Sequence, residues 1–392
     1  MNDVERFKAV CAGERPDYVP IFAIPGAPGM SRGAMRITHE RLVATGMPSW
    51  VDGCHSLGGS ASVDGWFRYW GTTGPVGIDF FPAEGAPGIG SKKRVENGYE
   101  IIEYESGAVT RQVMDNDVTY SMPEFVSYDV RDRASWEFYR DRTTQREMWP
   151  AERIEEACRR FDGRELPLSV GLGSTWGGLR SLMGPEAACT ILYDDPELAR
   201  EIIDHRCAMN EKYLFPVVER LRPEIITVWE DCCYNHAMLI SPAHFREFCA
   251  PYYRKVAELA SACGVDMVTV DSDGNIMELV PLLAECGVNS LHPCEVKSGN
   301  DLFALREALP DFILMGWLEK ECVNEGNGHT IEHEIMSKVP PLLEQGRYFP
   351  NGDHGLQPMV TFDNLCVFMT LLHEVTGNPE GEFPRVDVPA RR

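Results

Sequence analysis

VDMVTVDSDGNIMELVPLLAECGVNSLHPCE, residues 265–295, decides the fold in one stretch. A β-branched run, VDMVTVDSD (265–273), leads into the amphipathic IMELVPLLAECG (276–287), and a second apolar run, VNSLHPCE (288–295), follows at once. Strand, helix and strand with short connections require parallel strands joined by a crossover. The glycine at 287 stands where a helix ends on a left-handed cap.

The same rhythm extends in both directions. LPLSVGLG (166–173), EIITVWED (224–231), FILMGWLE (312–319) and RYFPNGD (347–353) read as further strands, separated by helical patterns such as PAHFREFCAPYYRKVAELASACG. YVPIFAI (18–24) and a segment around 76–81 bring the count to about eight, which predicts a TIM (β/α)8 barrel. No G-x-G-x-x-G follows a strand, so a dinucleotide-binding open sheet has little support. Residues 25–150 break the rhythm. They are rich in Gly, Pro and Trp, and GYEIIEYESGAVTRQVMDNDVTYSM predicts two or three antiparallel strands turning at ESGA and DND. This is an N-terminal elaboration on a single domain spanning 1–392, placed as a cover over the barrel mouth.

Composition sets outer limits. The chain has 392 residues, 44% apolar and 25% charged, and a formal charge of −23, which disfavours nucleic-acid binding through phosphates. The first twenty residues lack an apolar signal core and no run reaches the ~20 residues of a membrane span, so a cytoplasmic location is expected. Thirteen cysteines scattered through the elements then read as reduced thiols.

A barrel carries its chemistry at the C-terminal ends of its strands. Here those ends hold Glu230-Asp231, Asp271-Ser272-Asp273, His292-Pro293-Cys294-Glu295 and Asp353-His354. Solvated strand ends and helix caps account for any single one of these. Four in succession point to a site. Alternation puts His292 and Cys294 on one side of a strand, with Glu295 on the other unless the strand has already broken. Imidazole and thiolate on one side suit zinc, against the plainer reading of a buried small thiol and a hydrogen-bonded histidine. Trp176, Trp229 and Trp317 fall near strand ends and are candidate walls for an aromatic substrate, and Asp273 is a candidate substrate contact; core packing and capping are the ordinary readings. Cys232-Cys233 and the EHEIM segment (332–336) lack the partners of a metal motif.

SLMGPEAACTILYDDPELAREIIDH, ISPAHFREFCAPYYRKV, the 270–320 region and YFPNGDHGLQPMVTFDNL together resemble the uroporphyrinogen decarboxylase superfamily, a TIM-barrel group that includes corrinoid-dependent methyltransferases. The similarity covers residues 165–376 well and the N-terminal part loosely. Decarboxylases of the group carry an Arg-Gln-Ala-Gly-Arg motif; this chain reads PIFAIPGAPGMSRGAMR, with only Arg32 and Arg36. The methyltransferase branch commonly holds zinc on His-x-Cys and a distant third ligand, and His292-Pro293-Cys294 matches the first part. Where thiol-demethylating relatives place a Cys, this chain has Asp353-His354, so it looks more like relatives that remove O-methyl groups from methoxylated aromatics. The resemblance therefore implies a metal on Cys294 and His354 completed by His292 or Glu295, with Glu230 or Asp231 as proton donor or substrate contact. It also implies a corrinoid supplied by a partner protein, since no Asp-x-His-x-x-Gly motif occurs and DGCHSLGG (52–59) misses the spacing by one. Three rivals stay open: methyl transfer from a corrinoid to tetrahydrofolate, metal-independent decarboxylation, and a non-catalytic binding subunit.

Overall fold

A computed structural model describes residues 1–23, 33–52, 64–78, 89–114, 123–144 and 151–387. Residue 24, Arg32, most of the 52–59 stretch, positions 79–81 and the DND turn (115–117) lie outside the described residues.

Seven parallel strands form one sheet in the order Val76–Ile78, Leu168–Leu172, Ile225–Trp229, Met267–Asp271, Ser290–His292, Ile313–Leu318 and Tyr348–Gly352. Each pairs with its neighbour in that order, as right-handed strand–helix–strand units stacked side by side would. Residues 21–23 take the eighth place. Phe22 forms a parallel bridge to Thr73, while the Asn351 Nδ2 donates to the Phe22 carbonyl at 2.8 Å from the other side. The TIM-type expectation holds, although the first position is a single bridge closed by a side chain and not a regular strand.

Apart from the partly exposed Val76–Ile78, the strands are largely buried on both faces, which is why they read as continuous apolar runs. Phe7 from the helix Asp3–Ala12 plugs the N-terminal end of the barrel. Its ring lies 5.1 Å from that of Phe22 and 5.3 Å from that of Phe349, among Ile225, Met267, Ile313 and Met315. The helices pack outside against the other strand faces. Gly264 ends the helix Ala250–Cys263 with φ +71°, the left-handed cap that the sequence places there. The 242–264 pattern is one continuous helical run interrupted by a π-helical turn at Phe245–Cys249.

The described part of the elaboration contains four antiparallel strands, Ser91–Glu96, Tyr99–Tyr104, Val109–Val113 and Glu124–Ser127. ESGA is a turn, as expected, with Gly107 N donating to Tyr104 O at 2.9 Å. The first strand, SKKRVE, is exposed throughout and shows no apolar alternation for a sequence reading to find. The described part of this unit packs on the barrel's flank. Val130 N donates to Leu182 O, and the Tyr128 ring sits where a Cβ on Gly184 would be.

Candidate active site at the barrel mouth

The strand Ile225–Trp229 ends in an irregularity that separates two adjacent acids. Glu230 N and Asp231 N both donate to the Asp271 carbonyl, at 2.9 and 3.0 Å, and Asp231 takes a left-handed φ of 49°. Strict alternation is lost there. Glu230 turns under the mouth and is fully buried. Its carboxylate accepts from Thr175 Oγ1 at 2.9 Å, Gly177 N at 2.8 Å, Thr175 N at 3.2 Å and the Tyr253 hydroxyl. A Cβ at Gly177 would lie 2.4 Å from the Glu230 carbonyl oxygen, so glycine permits this approach. Glu230, expected as a catalytic acid or substrate contact, ties the start of the helix Trp176–Met183 to the barrel through these bonds.

Asp231 turns outward. It accepts from Arg180 Nη2 at 3.0 Å and from Asp273 N at 3.2 Å. Arg180 also lies over the Trp229 ring, 4.8 Å from its centroid, and Trp229 is 42% exposed. Of the three tryptophans proposed as walls, Trp229 alone is open to a ligand. Trp176 is fully buried. Trp317 is also buried, with Nε1 donating to Asn300 O at 2.8 Å and Phe303 packed edge-on. Both are core residues.

Asp231, Asp271 and Asp273 bring one carboxylate oxygen each within 4.8 Å of one another. Burial raises the Asp271 carboxyl well above the ordinary range, with repulsion from Asp273 and Asp231 adding to it. Its side chain keeps 26% exposure, which moderates that rise. Asp273 is pushed up to about 6, first by burial and then by Asp231, against the opposing pull of His354; its side chain keeps 51% exposure, which moderates that rise. His354 Nδ1 accepts from Gly355 N at 2.9 Å, which assigns the proton of a neutral ring to Nε2, 3.9 Å from Asp273 Oδ1. Glu295 rims the same loop and accepts from Gly274 N at 2.8 Å and Ser298 Oγ at 3.2 Å.

The thiolate–imidazole zinc set does not assemble here. The fifth strand ends at His292, so alternation no longer carries Cys294 to the same side. Cys294 is buried, burial pushes its thiol up to about 12, and its sulfur donates to Leu291 O. His292 lies inside the barrel with Nδ1 2.8 Å from Thr269 Oγ1. Among the described residues, the three aspartates are the group whose donor atoms converge. His292, Cys294, Glu295 and His354 therefore do not form the predicted ligand quartet.

Two mouth residues escaped the sequence reading. Arg180 sits mid-helix, where an arginine ordinarily means a solvated face. Lys320, a positive influence on both Asp273 and Asp353, follows a strand end with no motif around it. Asp353, expected beside His354 at the rim, is buried and ties two loops by accepting from Val296 N and Lys320 N, each at 3.0 Å.

No curated protein matches the sequence. Among solved structures, a methyltransferase from Methanosarcina mazei shares the architecture with a TM-score of 0.54, covering 94% of this chain and 97% of that one at 15% identity. That likeness concerns the fold. In sequence, the family profile described as Uroporphyrinogen decarboxylase (URO-D) matches residues 116–375, well over half of the chain, and the protein belongs to that family.

Proposed function

We propose that this protein transfers a methyl group from a methoxylated, aromatic small molecule to a corrinoid carried by a partner protein. The observation that carries the reading is Asp273. It is a carboxyl at the mouth with its pKa near 6, next to a histidine and an exposed tryptophan. An ether methyl leaves slowly because its oxygen must depart as phenolate or alkoxide, and a positioned acid with a pKa near the working pH removes that obstacle. The methyl-transferase name of the solved relative agrees with this chemistry.

A reduced corrinoid bound at the mouth would supply the nucleophile for the methyl carbon. As the carbon–oxygen bond breaks, its electron pair stays on oxygen and Asp273 delivers a proton there. Asp231 holds the Asp273 backbone and is itself fixed by Arg180, so the two acids have separate duties. The exposed face of Trp229 stacks the substrate ring. Cys294 and His292 do not bring their donor atoms together as a zinc ligand set. The acidic rim also receives a polycarboxylate porphyrinogen poorly.

The test is a screen of methoxylated aromatics with reduced cobalamin, read by the appearance of the methylcobalamin spectrum. Formation that needs the protein and is lost in Asp273→Asn supports the assignment. Release of carbon dioxide from uroporphyrinogen without any methyl transfer would replace it with decarboxylation.

A further inference from the structure

A second cavity, of about 400 Å³, lies between the antiparallel sheet and the barrel's flank. None of the mouth aspartates lines it. The sheet side contributes Tyr104, Phe125 and Tyr128, and the helix Arg133–Thr143 contributes Tyr139. Phe125 and Tyr128 stack with centroids 5.5 Å apart and planes 8° from parallel. From the other side, the helix Pro196–Tyr213 presents Arg206 and Asn210, one turn apart on one face.

Those two side chains lack something. Arg206 Nε is buried with no hydrogen-bond acceptor among the described residues, and Asn210 Nδ2, also buried, has only the Tyr252 hydroxyl beside it, outside good hydrogen-bond geometry. The guanidinium is held in place by Gly178, where a Cβ would stand 2.3 Å from Nε, and the Asn210 amide packs on Gly173 in the same way. A buried donor without an acceptor carries its full desolvation cost, most of all on a charged group. A carboxylate meets a guanidinium and an adjacent amide with matched planar geometry. The one carboxylate lining the cavity, Asp129, comes from the sheet side, accepts from Ser106 Oγ and is raised in pKa by burial. It does not meet the two donors' need.

We propose that this cavity binds a small aromatic carboxylate, its acid group on Arg206 and Asn210 and its ring against the tyrosine and phenylalanine faces. The volume lies in the range of small-molecule sites. The site is separate from the mouth and independent of the methyl-transfer assignment.

Isothermal titration with 2-naphthoate tests it, using 2-naphthamide as the neutral isostere and inorganic phosphate as the ring-free anion. Saturable binding of the naphthoate is expected, about tenfold weaker for the amide and for Arg206→Met. Ser181→Trp, which fills the cavity from an exposed position, should abolish it, while Asp273→Asn should leave it unchanged. Thermal unfolding of each variant separates loss of binding from loss of fold. The proposal is overturned if the naphthoate fails to bind, or if Arg206→Met or folded Ser181→Trp binds like the parent. Binding of phosphate as tight as that of naphthoate, or loss of binding in Asp273→Asn, overturns it equally.

Discussion

Nε2 of His354 stands 3.9 Å from Oδ1 of Asp273, whose backbone N–H donates to the Arg180-bound Asp231 at 3.2 Å. The gap between imidazole and carboxyl is too long for a hydrogen bond and suits a bridging water or substrate oxygen. Under the methyl-transfer assignment, a proton on Asp273 would lie where a departing oxygen can reach it.

Asp273→Asn should keep the fold and lose about 10²–10⁴-fold in methyl transfer, because the amide cannot give up a proton. Single-turnover rates will check this. The loss should shrink for substrates whose leaving phenol is more acidic.

The same carboxyl should shape stability against pH. Its folded pKa, about 6, lies above the unfolded value, so the folded state binds the proton more tightly. The resulting stabilisation is complete below the unfolded pKa and is lost as pH rises through about 6. Unfolding midpoints of the parent should therefore fall between about pH 4 and pH 6 relative to Asp273→Asn. Parallel curves would remove the basis for a proton held there.

Cys294→Ala should leave bound metal unchanged, since the thiol sits in the core with its pKa pushed up to about 12. Elemental analysis of parent and variant checks it, and the native thiol should resist alkylation by iodoacetamide. Zinc that disappears with Cys294→Ala would restore the thiolate site and require the 292–295 loop to rearrange.

Glu230→Gln should destabilise the fold by about 2–3 kcal/mol, because an amide offers a donor to a pocket already full of donors. Denaturant midpoints will show this. Any loss of rate should follow from displacement of the helix Trp176–Met183 and not from a missing proton.

Phe7→Ala empties the barrel floor and should cost about 3–5 kcal/mol, read by the same unfolding experiment.

What the sequence made legible followed from burial. Strands such as EIITVWED and FILMGWLE are buried on both faces, so their apolar runs announce them, and their polar ends mark the mouth. The site's details hinge on single residues at which regular geometry stops. One irregular step after Trp229 sends Glu230 inward and Asp231 outward, and the end of the fifth strand at His292 withdraws Cys294 from its supposed partner. A period of two has no information about where it ceases. Trp176 and Trp317 misled for a related reason: nearness to a strand end in sequence does not say which side of the wall a ring occupies.

Among the described residues, the aromatic plug of Phe7, Phe22 and Phe349 closes the N-terminal end of the barrel and leaves the mouth at the other end open. Under the methyl-transfer assignment, donor and acceptor must then use the same opening, and their order of arrival is fixed. The small methoxylated molecule enters first and lies deeper, the large corrinoid carrier closes over it, and the demethylated product stays trapped until the carrier lifts away. Turnover at saturating substrate would accordingly be limited by undocking of a protein, and would slow as that partner is made to bind more tightly.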